Sequence, residues 1–339
     1  MRTRGLSRGQ LLAGAAAVFY ALQNLSMRVA APAVDPLVVT LFAGFPTLIT
    51  ALAVTLASPS RRARLARLGG EARGRWLMAG LAAAGVVMYL VGNPLFVRAL
   101  ALGGAVVATP TGSTVVIWSA LLAAVLLRER MNRLATAGIA VFVAGVLLLS
   151  LGQASEVPAG PGWYWAIPLG TAAGLCWSTG GLGTRLAHSR GVDTFAILAL
   201  YGVAGLGAVG LVSSVTGGLG GFFAWLGGRP DAGGTLAALV FAGLFNLGAE
   251  VTLTVALRLE TVARTAVISS SSVTIVALLA WAFLGDALNL TMLAGVLAVF
   301  AGAALVQSQT VRAGAPGALR GRTVASGGPA ASAGPSSGA

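Results

Sequence analysis

The stretch FAGLFNLGAEVTLTVAL, residues 241–257, sets one carboxylate, Glu250, inside a run apolar enough for the interior of a lipid bilayer. An ionisable side chain at mid-helix costs about 2.5–3.5 kcal/mol on insertion scales, so such a group by default faces a cavity or a bundle interior. Burial favours the neutral acid, which suits two kinds of chemistry: exchanging a proton, or holding a substrate ammonium when ionised. Asn246 lies one turn earlier on the same helical face. The competing reading is structural, a protonated Glu250 hydrogen-bonded between helices.

Other polar residues in apolar surroundings form matched groups. Asn93 stands in GNPLF; Tyr20, Gln23 and Asn24 share one segment, and Trp177, Ser178 and Thr179 another. Their aromatic rings and amides are suited to an organic-solute pocket. TPTGST at 109–114, with Thr111 and Ser113, has a counterpart in SSSS at 269–272, with Ser270 and Ser271. Hydroxyls lower the cost of polar passage, and Pro110 with Gly112 could open the helix and expose backbone groups to a cavity. Equally, Ser and Thr can bond to their own helix or join neighbouring helices.

The elements that position these groups follow from composition. Hydrophobic residues make up 57% of the 339 and charged residues 9%, with mean hydropathy +0.88, against about 25% charged in soluble domains. Ten apolar windows emerge, 11–30, 37–57, 76–97, 103–127, 134–151, 163–184, 194–215, 234–256, 261–284 and 290–308, most of them long enough to span a bilayer as helices. They are too long and too uniformly apolar for barrel strands, so the expectation is an all-α integral membrane protein with ten transmembrane helices. The 48 glycines are expected on faces where backbones approach closely. Trp163, Trp165 and Trp225, near span ends, read as interfacial anchors.

Every basic side chain other than His188 is an arginine. The arginines concentrate in residues 1–10, in SPSRRARLARLGGEARGR after the second window, in RERMNR, and beyond 310, while the alternate loops are near neutral. The positive-inside rule therefore puts both termini in the cytoplasm. The net charge of +13 is thus topogenic, with no call for nucleic acid. Arginines 61, 62, 64, 67, 73 and 75 could also meet anionic lipid headgroups or a partner.

Residues 99–148 align without a gap over 256–305, an offset of 157. Leu100 meets Leu257, Ser113 meets Ser270, Gly138 meets Gly295, Gly145 meets Gly302, and Glu129 meets Asp286. The same offset pairs Tyr20 with Trp177, Arg28 with Arg185 and Asn93 with Glu250. The first window therefore has a partner in the second half, which argues against reading MRTRGLSRGQ and the following run as a signal peptide cleaved near VAAPA. Five spans per half is an odd number, so the halves enter the membrane inverted: repeat one over 11–151, repeat two over 163–308. Inverted repeats are the architecture of many secondary transporters, with the substrate site at the midplane between them.

The ends of the repeats, FVRALALGGAVVATPTGSTVVIWSALLAAVLLRERMN and TIVALLAWAFLGDALNLTMLAGVLAVFAGAALV, resemble the drug/metabolite transporter superfamily, in its ten-helix branch of two EamA-type repeats. The usual Leu-Gly-Glu before the last helix of a repeat is here Leu127-Arg128-Glu129 and Leu284-Gly285-Asp286. A proline often found in the preceding helix is replaced by Val116 and Val273; Pro110, six residues earlier, would displace the kink. The resemblance implies a carrier for small metabolites in a bacterial inner membrane, gradient-linked or facilitative, commonly an amino acid exporter, with the aromatic amino acid exporters the nearest subgroup. Protons are an implied coupling partner, and no cofactor is.

Nothing in the chain reads as an enzyme. Without lysine there is no phosphate-binding Walker motif, and one histidine beside Arg185 and Arg190 plus one cysteine, Cys176, make neither a nucleophile pair nor a metal site. Residues 310–339, rich in Gly, Ala, Ser and Pro, are expected to be a disordered cytoplasmic tail. Besides the exporter of amino acids, an exporter of drugs or amphiphilic solutes stays open, as does an integral-membrane enzyme or a scaffold in which Glu250 is sealed by packing.

Overall fold

A computed structural model describes residues 6–126, 133–154, 162–229, 232–284 and 289–308. Among them the chain is helical, with no strand. The acidic motifs at Glu129 and Asp286 and the tail from 310 lie outside the described residues.

The first half contains α1 (Arg8–Ala30), α2 (Pro36–Ala57), α3 (Pro59–Gly70), α4 (Ala72–Val86), a π-helical turn (Val87–Gly92), α5 (Asn93–Gly112), α6 (Val115–Leu126) and α7 (Arg133–Ala154). The second contains α8 (Ala166–Ser189), α9 (Thr194–Val215), α10 (Gly218–Gly228), α11 (Ala232–Leu259), α12 (Val262–Ser270), α13 (Ser272–Leu284) and α14 (Leu290–Ser308). Local chemistry starts several of them. Ser7 and Gln10 form a reciprocal capping box on α1, while Asp35 and Asp193 accept from the backbone N–H groups of Leu37 and Phe195 at the starts of α2 and α9.

Among the described residues, five stretches are long and apolar enough to cross a membrane: Pro36–Ala57, Ala72–Gly103, Ala108–Leu126, Thr194–Val215 and Ala232–Leu259. Three shorter apolar helical stretches join them, Thr136–Leu148, Val262–Val276 and Leu290–Gly302. Helices α1 and α8 have the length but fall short in hydropathy, because they carry Gln23, Asn24 and Arg28, and Thr179, Thr184 and Arg185.

The packing exchanges with itself when the halves are swapped. Helix α1 lies along α11 and against α12 and α13; α8, its counterpart, lies along α4, the π-turn and α5 and against α6. Helices α2 and α9, counterparts of each other, pack together, as do α7 and α14. Both pairs run antiparallel. Gly44 faces Leu206 and Gly202 faces Leu48, while Gly145 faces Val299 and Gly152 faces Met292.

Glycine sets the closest crossings. A methyl group on Gly145 would sit 2.6 Å from the Val299 backbone nitrogen, and one on Gly302 would strike the Phe142 backbone. These are the two glycines that the repeat pairs, so the expectation of a packing face holds for them. Gly85 and Gly205 bring α4 and α9 together in the same way.

Two short helices were not anticipated by the ten windows. Helix α3 carries Arg61, Arg62, Arg64 and Arg67, and α10 occupies the equivalent place in the second half with Phe222, Phe223 and Trp225 instead. Arg61 pairs with Asp193 at 3.2 Å and lies over the Phe195 ring, tying α3 to the start of α9.

Candidate functional site

Helices α1, α5, α8 and α11 and the two interrupted helices enclose a central cavity of about 160 Å³. Glu250 faces it from α11 and accepts a hydrogen bond from the Tyr20 hydroxyl at 3.1 Å. Opposite, the Trp177 indole N–H on α8 donates to Asn93 Oδ1 at 2.7 Å. The repeat pairs Tyr20 with Trp177 and Glu250 with Asn93, so these are two copies of one interhelical bond. Phe96 packs edge-on against Trp177, with centroids 4.9 Å apart, and fixes the indole plane.

The polar groups differ in how much of their bonding capacity is used. Asn246 donates to Thr47 at 3.2 Å, so one of its amide hydrogens is committed to holding α11 against α2. Gln23 is buried, with its amide nitrogen near Met27 sulfur and its carbonyl oxygen unpartnered. Thr265 is fully buried, lines the cavity and has an unpartnered hydroxyl. A buried polar group without a partner costs about 1–3 kcal/mol.

The breaks in α5–α6 and α12–α13 deliver the hydroxyls. Pro110 is followed by the end of α5 at Gly112, and Ser113–Thr114 bridge to α6; Ser271 bridges α12 to α13. The breaks are repeat counterparts, the first lying three residues after Pro110 and the second formed without a proline. Ser113 and Ser270 line the cavity at equivalent positions.

Of the twelve residues singled out from sequence, Glu250, Asn93, Asn246, Tyr20, Gln23, Asn24, Trp177, Ser113 and Ser270 line this cavity. Thr111, Ser178 and Ser271 do not. The Thr111 hydroxyl donates to Ala108 O, with Gly170 packed against it; Ser178 donates to Gly174 O and Ser271 to Val267 O. These hydroxyls satisfy helix backbone, the alternative use open to any mid-helix Ser or Thr.

The sequence reading missed Tyr89, Tyr201 and Thr184. Tyr89 and Tyr201 are buried and line the cavity; Tyr201 donates to Gly180 O at 2.8 Å and lies 3.2 Å from the Thr184 hydroxyl. The repeat carried the signal for Tyr89, since it stands where Asn246 stands in the other half, one turn before Asn93. The π-turn that contains it is not repeated in α11, and such turns occur often at functional sites. Among the described residues lining the cavity, Glu250 is the one acid and there is no arginine or histidine.

A solved crystal structure whose description states no function superimposes with a TM-score of 0.67 at 18% identity, covering 91% of this chain and 99% of that one, a likeness of fold. No curated protein matches the sequence. The EamA-like transporter family matches residues 7–151 and again residues 164–308. Matched twice over nearly the whole described length, the chain belongs to the EamA-like transporter family, membrane transporters of small solutes.

Proposed function

We propose that the chain is a secondary transporter with ten spans in two inverted halves, N- and C-termini cytoplasmic, exchanging access to the central cavity between the two sides of a bacterial inner membrane. The antiparallel packing of counterparts α2 with α9 and α7 with α14 supports the inversion. The arginines of α3, set against the uncharged α10, support the orientation.

The single observation that carries the substrate reading is Glu250, reached by Tyr20 across the cavity and opposed by no basic side chain among the described lining. An ionised carboxylate in such a site attracts an ammonium; Trp177, Phe96, Tyr89 and Met88 supply apolar and aromatic surface for the rest of the solute. In this reading the solute is an amino acid, its ammonium at Glu250 and its carboxylate taken by amide and hydroxyl donors such as Asn24 and Thr265. The same absence of a basic group favours a second reading, an organic cation with an aromatic or aliphatic body.

Counterflow in proteoliposomes, with labelled amino acids and organic cations run against wild type and Glu250→Gln, tests both. Exchange of an amino acid that the substitution abolishes supports the first; exchange of cations alone supports the second. Undiminished exchange by Glu250→Gln would remove the carboxylate from the mechanism.

A further inference from the structure

A second concavity, of about 430 Å³, lies between α4 and α8, away from the central cavity. Its rim is Trp76 and Arg190, its floor includes Gly80 and Gly183, and its far end is Val87 and Thr179. Apart from Thr179 and Arg190 its walls are apolar. Trp76 is 80% exposed and Arg190 is exposed. No acidic residue lines it among the described residues.

We propose that this groove holds one anionic glycerophospholipid of the cytoplasmic leaflet, its phosphate at Arg190 and an acyl chain running along Gly80 and Gly183. The inference rests on the orientation proposed above, which puts the start of α4 and the end of α8 at the cytoplasmic surface. Three observations select this occupant. First, from Trp76 to Val87 the groove follows eleven residues of helix, about 16 Å at 1.5 Å per residue, which is close to one leaflet of a hydrocarbon core about 30 Å thick. Second, the only charge on its lining is positive and sits at the rim, and the neighbouring segment adds Arg73, Arg75 and the exposed arginines of α3. Third, Trp76 stands beside that charge with its ring outward, the place of an indole at the headgroup level.

The groove has a direct bearing on the cavity. Its floor is the α4–α8 contact, and on the other side of that contact Met88 and Gly180 line the central cavity. A chain wedged between α4 and α8 would therefore set the spacing of one cavity wall.

The test is native mass spectrometry of the full chain released from nanodiscs of equal phosphatidylglycerol and phosphatidylcholine. Wild type should retain phosphatidylglycerol in preference, and Arg190→Gln should lower that preference about fivefold, the equivalent of ~1 kcal/mol per basic side chain at an anionic surface. Gly80→Leu should reduce retention of both lipids, and space is available for its side chain, since a methyl group there meets nothing within 4 Å. Equal ratios for wild type and Arg190→Gln, unchanged retention in Gly80→Leu, or a protein dimer without lipid would each overturn the proposal. In a Cys176→Ala background, labelling of Ser189→Cys by an impermeant thiol reagent from outside the cell would overturn the orientation instead, leaving the adduct ratios to judge the groove.

Discussion

Glu250 and Asn93 occupy equivalent positions in the two halves, and each accepts a hydrogen bond from the equivalent helix of the opposite half, from Tyr20 and from Trp177. The bond is thus duplicated while its acceptor is not: one copy carries a titratable carboxylate and the other a neutral amide. That difference sets the two halves apart chemically, and it frames the first prediction.

Tyr20→Phe removes the donor to Glu250 and nothing else on the ring. A hydrogen bond to a charged group contributes about 1.5–3 kcal/mol, so exchange by Tyr20→Phe is expected to fall by roughly tenfold or more. Trp177→Phe, which removes the neutral counterpart, should lower apparent affinity with a smaller loss of maximal rate. Initial rates of counterflow over a range of substrate concentrations separate the two effects.

Arg264 is buried and, among the described residues, pairs with Glu260 at 2.8 Å, which also meets the Ser7 hydroxyl at the start of α1. The Nε and second terminal nitrogen of Arg264 are buried without partners among the described residues. Glu260→Gln would leave a buried cation without its counter-charge, a loss of about 3–5 kcal/mol. Thermal denaturation in detergent should shift down by roughly 10 °C, and Glu260→Gln combined with Arg264→Met should recover most of that shift.

Gly145 and Gly302 allow α7 and α14 to touch backbone to backbone. Gly145→Val should destabilise by about 1–3 kcal/mol through overpacking, and Gly302→Val by a similar amount. Because the two sites serve one crossing, the double variant should cost less than the sum. Size-exclusion of heated samples measures all three.

Helices α3 and α10 are equivalent in the two halves, and inversion requires them on opposite sides. Ser60→Cys is expected to react with an impermeant thiol reagent only in inside-out vesicles, and Gly220→Cys only in intact cells, both in a Cys176→Ala background. Gly220 has open space around it, so the substitution itself is tolerated. Labelling of both from one side would dispose of the inverted arrangement.

Much of the site was legible because a polar residue inside an apolar run is conspicuous, and because the duplication marked the same positions twice. Glu250, Asn93, Tyr20 and Trp177 all came from that signal. Tyr201 did not, since a tyrosine in a helix that is apolar all round offers no periodic contrast between its cavity face and its lipid face, whereas Tyr89 carried the duplication signal through Asn246 and was passed over. Thr111, Ser178 and Ser271 lie off the cavity lining for a related reason: sequence shows that a hydroxyl is present and hides whether it turns to backbone carbonyls, the alternative left open for them. Several of the ten apolar windows fall on single long helices, such as α2 and α9, while α5 runs across the gap between the third and fourth windows. The windows passed over α3, which is too charged to register, and α10, which is too short. The π-turn left no mark, for its counterpart in α11 aligns without a gap and is regular helix.

That turn has a thermodynamic meaning. A carrier made of two identical inverted halves would have two end states related by symmetry, hence of equal free energy, and would rest equally in both. The turn at 87–92 gives the wall that carries Asn93 a π-helical backbone, where the stretch of α11 that aligns with it residue for residue is regular helix. In a carrier of the kind proposed, that difference in backbone would lift the degeneracy of the end states before any solute binds.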